Sequence, residues 1–439
     1  MNIAMMIIAG VVGLALYYYF IRSPLMLLTA YVMALTVLPP IPIGSIEVSL
    51  LDYLALPTLI LVIYQLAHNR FQLRGMIAIT FMMFVVAAII SYISFSFQQT
   101  AFNLSMLMRL MRLIEMLLPV LLISQLYDKY PREKFILPFL IGSALTALIG
   151  VVMFSLGISL RESQTFATGG ELFFRAAGTH GGSGSFGALM GLATIVALWV
   201  LLYFNLEDEP KKQRLYKLTA TVCGICTLIG MVAALSRGGF VALAVGLIFL
   251  ILPLMRTPKK LLKVILIGAI FILAAIPLLD IYTEGSLLGS GYQQFVERIS
   301  GLSELADQAE EVTGGRTVFW KMAFDLYSSQ PLAWPFGLGY KSLRLYYDMP
   351  PDNNFNQALF EMGVFGLLSL LSLLYAIFRA ARDNIKTEPS IAILLLSLLL
   401  SLISLMVSAD VMTYWHNIPP LFILIISLSG RRDNNLAFA

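Results

Sequence analysis

Two arginines stand beside glycines at the ends of apolar stretches, where their side chains are suited to bind an anion. Arg237 lies in ALSRGGFVAL and is followed by Gly238 and Gly239, and Arg175 lies in FFRAAGTHGGSGSFGALMG. A guanidinium offers bidentate donors to phosphate. Backbone amides of glycines at the start of a helix can complete an anion-binding nest. The alternative for SRGGF is an ordinary hairpin whose arginine extends to the membrane surface.

A second set of charges recurs every three residues in SMLMRLMRLIEML. Arg109, Arg112 and Glu115 then share one face of a helix. Charged side chains inside an apolar segment are costly, so each suggests a functional site. Two alternatives remain open from the residues alone. Either Arg112 and Glu115 pair and support the helix bundle, or this face lines a polar cavity near the outer leaflet and meets an anion.

Further candidates stand in a long polar stretch and in the glycine-rich segment after Arg175. RTVFWKMAFDLY predicts a helix that begins at Arg316 and carries Trp320, and PFGLGY supplies Tyr340 as an aromatic platform for a sugar ring. His180 is a titratable candidate, with the alternative that it is only a polar loop residue. The glycines around it are equally suited to close helix packing.

Polar side chains also cluster where MPPDNNFNQALFEMGVFGLL enters an apolar run. Asp352 and Asn353 precede the run, and Glu361 follows on the same predicted helix. Such side chains anchor poorly in lipid, so we expect some of them to face a cavity. A later stretch, SADVMTYWHNIPP, gives two alternatives: its polar residues join that cavity or form a helix cap. These residues are Asp410, Tyr414 and His416.

The elements that must position these residues are membrane helices. Of 439 residues, 59% are hydrophobic and only 12% are charged, whereas soluble domains carry about 25% charged residues. Apolar runs long enough to cross a bilayer recur throughout, and such runs must be helical. We predict an all-α polytopic integral membrane protein, a single transmembrane domain over 1–439 with about 12–14 transmembrane helices. The segments lie near 3–20, 24–40, 50–67, 76–97, 103–126, 135–156, 184–204, 217–235, 239–255, 262–281, 357–378, 390–409 and 417–430.

The distribution of basic residues predicts the orientation. Most of the 29 Lys and Arg fall in short loops on the same side as the carboxy-terminal RRDNN, which the positive-inside rule places in the cytoplasm. The outer face then carries a loop at 157–183 and a large helical periplasmic loop at 282–356. A connection of that length between two spans usually has a function. The first segment lacks a cleavage site and is expected to remain as a helix.

Several function classes are disfavoured by composition. The net charge of +4 is spread over scattered loops without interleaved aromatic residues, so we expect no nucleic-acid partner. Cys223 and Cys226 form a CxxC pattern inside an apolar helix, where buried small residues are the better interpretation. No carboxylate cluster suggests a metal, so we expect no metal and no other cofactor.

The motifs together resemble those of the O-antigen polymerase and O-antigen ligase superfamily. Their order is RAAG, SRGGF, GRTVFWKMAF, PFGLGY and DNNFNQALFEMGVFGLL, covering about 175–366. The resemblance implies a bacterial inner-membrane glycosyltransferase with its active site facing the periplasm. It implies an undecaprenyl-diphosphate-linked oligosaccharide as substrate and the lipid bilayer as surroundings. A chain-length regulator and a flippase of the same pathway would be its partners.

The resemblance also implies roles for individual residues. Ligases of the family carry His-Asn ahead of a Glu-x-Gly-x-x-Gly pattern, and here Asp352 and Asn353 occupy those positions. This departure favours a polymerase of O-antigen, capsule or exopolysaccharide units. Arg237 and Arg175, with Arg316 assisting, would stabilise the leaving diphosphate, and Asp352 would act as general base or orient the acceptor hydroxyl. The expected substrate-binding residues are Asn353, Tyr340, Trp320, His180, Arg109, Arg112, Gly238 and Gly239.

Two alternatives stay open at this point. A ligase of the same superfamily would transfer a finished glycan to a lipid or protein acceptor. A transporter or flippase of lipid-linked sugars is the second alternative, and such proteins typically show paired repeats and broken helices near the midplane. The gathering of polar residues at the outer face, next to one dominant loop, favours an enzyme.

Overall fold

Long apolar helices form most of the part of the chain that the computed structural model describes. That part comprises residues 15–43, 46–68, 70–71, 75–99, 103–158, 165–168, 171–180, 182–206, 209–256, 262, 316–347 and 353–430. Two short antiparallel hairpins are the exception to the helical architecture. They are β1 (Ile41–Ile43) with β2 (Ile46–Val48), and β3 (Thr165–Thr168) with β4 (Glu171–Phe174).

The amino-terminal helices are set by capping residues and prolines. Between α1 and α2 the chain bends by 114° at Ser23, whose side chain caps α2, with Pro24 at its first position. Ser49 and Asp52 form a capping box at the start of α3. The bounds are α1 (Ala15–Arg22), α2 (Pro24–Val37), α3 (Leu50–Ala67), α4 (Met76–Gln99), α5 (Leu104–Leu126) and α6 (Glu133–Ser155).

The remaining helices follow the β3–β4 hairpin. They are α7 (Ser183–Leu202), α8 (Pro210–Ala234), α9 (Arg237–Ile251), α10 (Arg316–Ser328), α11 (Ala333–Phe336), α12 (Leu343–Tyr346), α13 (Asn354–Asn384), α14 (Pro389–Ser408) and α15 (Ile418–Ser429). Short 3₁₀ turns occur at Gly178–His180, Leu252–Arg256 and Val411–Thr413. Helices α10 to α12 lie in the carboxy-terminal part of the predicted large loop.

Within the described ranges, eight helices are long and apolar enough to cross a membrane, or nine if α1 and α2 form one bent span. This confirms a helical polytopic membrane protein. The predicted total of 12–14 spans stays a prediction, because the segment predicted at 262–281 and the first residues of 3–20 lie outside the described residues. Helix α5 has the necessary length, but it is not counted because it carries three charged residues, Arg109, Arg112 and Glu115.

Helix α7 is the most buried of the candidate spans and packs against α6, α8, α9 and α14. Small residues allow this close approach: a Cβ on Gly187 would lie 2.5 Å from Ser236 Cβ, and one on Gly246 would lie 2.3 Å from both Ile195 Cδ1 and Ser401 Oγ. Close contact between helices through small residues is the usual packing mode in membranes. The packing alternative for Gly187 is therefore confirmed.

The two ends of this bundle are held by different contacts. We define the upper end as the end at which α7, α9, α13 and α15 begin, and the lower end as the opposite one. At the lower end Arg132 forms a bidentate ion pair with Glu388, with an Nη2–Oε1 distance of 2.7 Å. Trp199 Nε1 donates to the carbonyl of Ser390 over 2.6 Å. These contacts tie α6 and α7 to the start of α14.

Candidate functional site

Arg237 stands at a sharp junction between α8 and α9 at the upper end. The junction turns at Leu235, whose φ of +46° is left-handed, and Ser236 then caps α9 by accepting from the Gly239 amide over 3.2 Å. Arg237 is exposed at the first position of the new helix. Among the described residues, no side chain or carbonyl forms a hydrogen bond or ion pair with its guanidinium. Its guanidinium is therefore accessible, and its predicted contact with an anion stays a prediction.

Arg175 lies at the same junction, where its guanidinium donates hydrogen bonds to backbone carbonyls. Its Nε donates to the Ala234 carbonyl over 3.2 Å and its Nη2 to the Leu235 carbonyl over 2.8 Å. A basic side chain at the end of a helix satisfies carbonyls that lack intrahelical donors. Arg175 thus holds the junction through these two carbonyls. Its direct contact with a diphosphate stays a prediction.

The two glycines of SRGGF let α9 approach its neighbours closely. A Cβ on Gly239 would lie 2.8 Å from the Gly187 carbonyl oxygen of α7, and one on Gly238 would lie 3.0 Å from Ser408 Oγ at the end of α14. The Gly239 amide already donates to the side chain of Ser236. Packing therefore accounts for Gly239, and the predicted contact of these amides with substrate stays a prediction.

Asn353 caps the start of α13 and ties it to α14. Its Oδ1 accepts from the amides of Phe355 and Asn356 over 2.9 and 3.0 Å, and its Nδ2 donates to the Val407 carbonyl over 3.1 Å. Asn353 is thus used inside the chain, and its predicted substrate contact stays a prediction. Asp352, the predicted base, lies outside the described residues, directly before this cap.

A buried polar network lies behind the cap. We call the group of Lys341, Asn354, Gln357, Glu361 and Asp410 the buried network. Lys341 forms an ion pair with Asp410, and Asn354 Nδ2 donates to the other oxygen of that carboxylate over 2.9 Å. Gln357 Nε2 donates to Glu361 over 2.8 Å. Every member is buried, so the network fixes the start of α13 against the segment after α14.

Helix α13 is broken at Gly363, and the segment PFGLGY fills the break. Gly363 has a φ of +69°, and a Cβ there would lie 2.3 Å from the Pro335 carbonyl oxygen. The amides of Leu338 and Gly339 donate to the carbonyls of Phe360 and Glu361 over 2.8 and 3.0 Å. Ser91 of α4 also donates to the Glu361 carbonyl. The glycine is required because any Cβ would collide with this inserted backbone.

The aromatic residues predicted to stack on sugars have different settings. Tyr340 is only 3% exposed, and burial, reinforced by the Asp410 and Glu361 charges, raises the pKa of its hydroxyl well above the usual value. The ring of Tyr340 packs into the main core, and its predicted contact with a sugar stays a prediction. Trp320 of α10 is half-buried against a smaller cluster that includes Tyr327 and Phe360, and its sugar contact stays a prediction. Arg316 is the first residue of α10.

The arginines of α5 face two different environments. Arg112 Nη2 lies 3.8 Å from Asp52 Oδ2, and its guanidinium carbon lies 4.8 Å from the Trp415 ring centroid. Glu115 interacts with both Asp52 and Arg112, which supports the bundle-supporting alternative for Arg112. Arg109 lies within electrostatic range of Arg344, Glu361 and Asp410. Substrate binding by Arg109 and Arg112 stays a prediction.

His180 is buried in a stack of rings rather than exposed to substrate. Its ring lies 4.7 Å from that of His416 at an angle of 17°, and its Nε2–H donates to the Thr36 carbonyl over 3.1 Å. His416 Nδ1 similarly contacts the Leu35 carbonyl over 3.1 Å. Burial lowers the pKa of His180 to about 4. The ring of His180 joins the end of α2 to the upper ends of α7 and α15. Its predicted contact with substrate stays a prediction.

Three residues at the upper end of the bundle were not predicted as site residues from the sequence. Lys341 and Arg344 follow PFGLGY directly, and Trp415 lies inside the SADVMTYWHNIPP stretch. Charged residues within a few positions of a glycine-rich turn were the available signal for the first two. No described group of three or more His, Cys, Asp or Glu side chains is arranged to hold a metal ion, and metal-independent transfer stays a prediction.

Comparison with known families relates this geometry to an activity class. Residues 222–371 match a family model described as O-antigen ligase, Wzy_C. The match covers about a third of the chain and includes Arg237, Lys341, Arg344 and Glu361. It supports the O-antigen ligase and polymerase superfamily that the sequence motifs resemble. The comparison with curated proteins gives no match.

Proposed function

We propose that this membrane protein of the O-antigen ligase and polymerase type polymerises undecaprenyl-diphosphate-linked oligosaccharide units at its upper end. The family match supports membrane glycan transfer of this general kind. The lipid diphosphate donor and the polymeric product are the proposal. The observation that carries it is the exposed guanidinium of Arg237, which has no partner among the described residues and stands where α9 meets the end of α14.

The reaction follows from the charge that develops. The acceptor hydroxyl oxygen attacks the anomeric carbon of the donor sugar, and the bond from that carbon to the diphosphate oxygen breaks. The diphosphate leaves with the electron pair. Donors aimed at that charge are commonly the largest catalytic contribution. Arg237 is the proposed donor, with Arg316 assisting and Arg175 holding the junction. Asp352 would accept the proton of the hydroxyl.

The helix ends reinforce the preference for an anion. Helices α7, α9, α13 and α15 are among those that begin at the upper end, and each of these starts carries a partial positive charge. Contacts hold these starts together: Asn417 Nδ2 donates to the Ser185 carbonyl over 2.8 Å, and Asn353 reaches the end of α14. The fields of the four starts therefore support binding of a diphosphate near Arg237.

We place the protein in the bacterial cytoplasmic membrane with its upper end facing the periplasm. The basic residues of the short lower loops support this orientation by the positive-inside rule. A flippase that delivers lipid-linked units and a chain-length regulator are the proposed partners.

A ligase is the second candidate, because the matched family model is itself described as O-antigen ligase. The two functions differ in the acceptor. A polymerase adds units to another lipid-linked unit, whereas a ligase caps a different lipid or protein. Asp352, in place of the histidine of family ligases, supports the polymerase.

The decisive experiment supplies purified protein in liposomes with a lipid-linked repeat unit as the only sugar substrate. We expect a ladder of products of increasing length. Transfer of a single glycan, and only after a different acceptor is added, would indicate the ligase. Movement of the lipid-linked unit across the bilayer without a new glycosidic bond would indicate the transporter alternative. Asp352→Asn should abolish most of the ladder, and full turnover in that variant would exclude Asp352 as the base.

A further inference from the structure

A second pair of cationic side chains lies at the upper end, away from the α8–α9 junction. Arg109 is half-buried on α5, and Arg344 is exposed on α12. They come from distant parts of the chain but lie within electrostatic range of each other. Neither forms a hydrogen bond or an ion pair with any residue in the described ranges. Two like charges thus lie within electrostatic range of each other, and within the described ranges no carboxylate forms an ion pair with either of them.

The position of Arg344 is fixed by the backbone before it. Gly339 packs so closely on α4 that a Cβ would lie 2.6 Å from Phe95 Cβ, and its amide donates to the Glu361 carbonyl. Lys341 is anchored by its ion pair with Asp410. Because α4 packs against α5, these anchors hold α12 near the start of α5. The approach of Arg344 to Arg109 is therefore a consequence of the fold.

The nearest carboxylates are already engaged by other donors. Asp410 accepts from Lys341 and Asn354. Glu361 accepts from Gln357 over 2.8 Å and from the Leu343 amide over 3.4 Å. Both attract Arg109 through space, but neither forms an ion pair with it. A polyvalent anion placed between Arg109 and Arg344 would convert their repulsion into attraction.

We propose that Arg109 and Arg344 bind the diphosphate of a second lipid-linked glycan, the acceptor. This inference rests on the proposed polymerisation. Joining two lipid-linked units needs two lipid diphosphates in the protein at once, because the donor releases its diphosphate and the acceptor keeps its own. Arg237 serves the first diphosphate, and the Arg109–Arg344 pair serves the second.

The two cationic sites flank one short segment. Ser408, at the end of α14, contacts Gly238 beside Arg237. Two residues later, Asp410 holds Lys341, three residues before Arg344. Arg109 lies five residues into α5, about 7 Å along the helix axis from its start. Both sites therefore belong to the upper end, where lipid headgroups would lie.

Binding stoichiometry tests the second site directly. Full-length protein in nanodiscs would be titrated with undecaprenyl diphosphate, and the bound lipid counted by native mass spectrometry. We expect two molecules on the wild type, one on the Arg109→Gln/Arg344→Gln double variant and one on Arg237→Ala. Arg214→Gln, at an exposed lower-end position, is the matched control and should retain two. Two bound molecules on the double variant, or one on the wild type, would overturn the proposal.

A competition experiment tests whether both sites recognise the diphosphate of the lipid. Inorganic diphosphate should displace both lipid molecules from the wild type, because the proposal assigns recognition to the diphosphate. Inorganic diphosphate that displaces only one lipid from the wild type and none from the Arg237→Ala variant would contradict the proposal. The Arg109–Arg344 pair would then bind a part of the lipid other than its diphosphate.

Kinetics separate this site from the proposed function itself. With donor and acceptor labelled differently, Arg344→Gln should raise the KM for the acceptor about tenfold and leave kcat within about twofold. Arg344→Lys should restore part of the affinity. A lower kcat with unchanged KM would refute acceptor binding. Two bound lipids without polymer formation would refute polymerisation but leave the second binding site standing. Polymer formation by a double variant with unchanged acceptor KM would refute the second binding site but leave polymerisation standing.

Discussion

The two ends of the helix bundle use their charged residues in opposite ways. At the lower end, Arg132 pairs with Glu388 and Lys212 with Glu209, the latter at 3.0 Å. At the upper end, the carboxylates of Asp410 and Glu361 are consumed by the buried network, while Arg237 and Arg344 have no ion-pair partner among the described residues. Arg132 at the lower end supports the packing of the chain, whereas Arg237 and Arg344 at the upper end are exposed.

This difference separates two uses of arginine that composition alone does not distinguish. An arginine that closes an ion pair stabilises packing, and its loss is felt as reduced stability. An arginine exposed without a carboxylate contributes little to folding, and its loss is felt in binding or turnover. The comparison of the two ends therefore predicts which substitutions affect stability and which affect activity.

The largest effect is expected from breaking the buried network. Lys341→Met leaves the Asp410 carboxylate buried without its cation, which should cost about 3–5 kcal/mol of unfolding free energy. Thermal inactivation of detergent-solubilised protein measures this loss. The double variant Lys341→Met/Asp410→Leu should recover much of the stability, since it removes both charges. A single variant as stable as the wild type would contradict the role of the pair.

Next in size is the loss of the exposed arginine at the α8–α9 junction. Arg237→Ala should reduce transfer by about 100-fold or more, as for removal of one donor to a developing oxyanion. Its melting temperature should remain close to that of the wild type, because the guanidinium has no partner in the described chain. Ladder assays measure the first effect and thermal unfolding the second. Normal product length in this variant would remove Arg237 from the mechanism.

The lower end should show the reverse pattern. Arg132→Gln removes the bidentate partner of Glu388, and the remaining carboxylate is partly exposed, so we expect a cost of about 1–3 kcal/mol. The activity of the protein that remains folded should equal that of the wild type. A lower kcat in Arg132→Gln with unchanged stability would contradict a purely structural role for this lower-end arginine.

The last prediction concerns pH, where the effect at any one pH unit is small. Burial lowers the pKa of His180 from 6.5 to about 4, so an unfolded chain binds a proton between these values that the folded chain does not. Stability should be constant above about pH 6.5 and fall as the pH decreases toward 4. His180→Gln should reduce that slope by about 1.4 kcal/mol per pH unit. An unchanged slope in unfolding measurements across this window would show that His180 is protonated in the folded protein.

The local features of the upper end could be predicted from the sequence. Apolar runs predicted the helices, and the serine and glycines around Arg237 predicted a helix junction. The polar run at Asn353 marked the start of α13. Each of these features depends on residues within one or two helical turns.

Contacts between distant segments could not be predicted in the same way. The ion pair of Lys341 with Asp410 and the stack of His180 on His416 join residues far apart in the chain. The burial of Tyr340 and the engagement of Arg175 with carbonyls depend on backbone positions in other helices. Helical periodicity predicts which residues share a face but does not say which other helix that face meets.

The break at Gly363 has a consequence for exchanging parts between related proteins. PFGLGY completes the hydrogen bonding of α13 and packs against Phe95 of α4, and Ser91 of α4 donates to the same turn of α13. Three segments therefore depend on one another at this break. A chimera that takes the large loop from a relative must take the matching stretch of α4 and the first turns of α13 with it. Substrate preference carried by that loop would otherwise not transfer, since the grafted segment would have no gap of the right shape to enter.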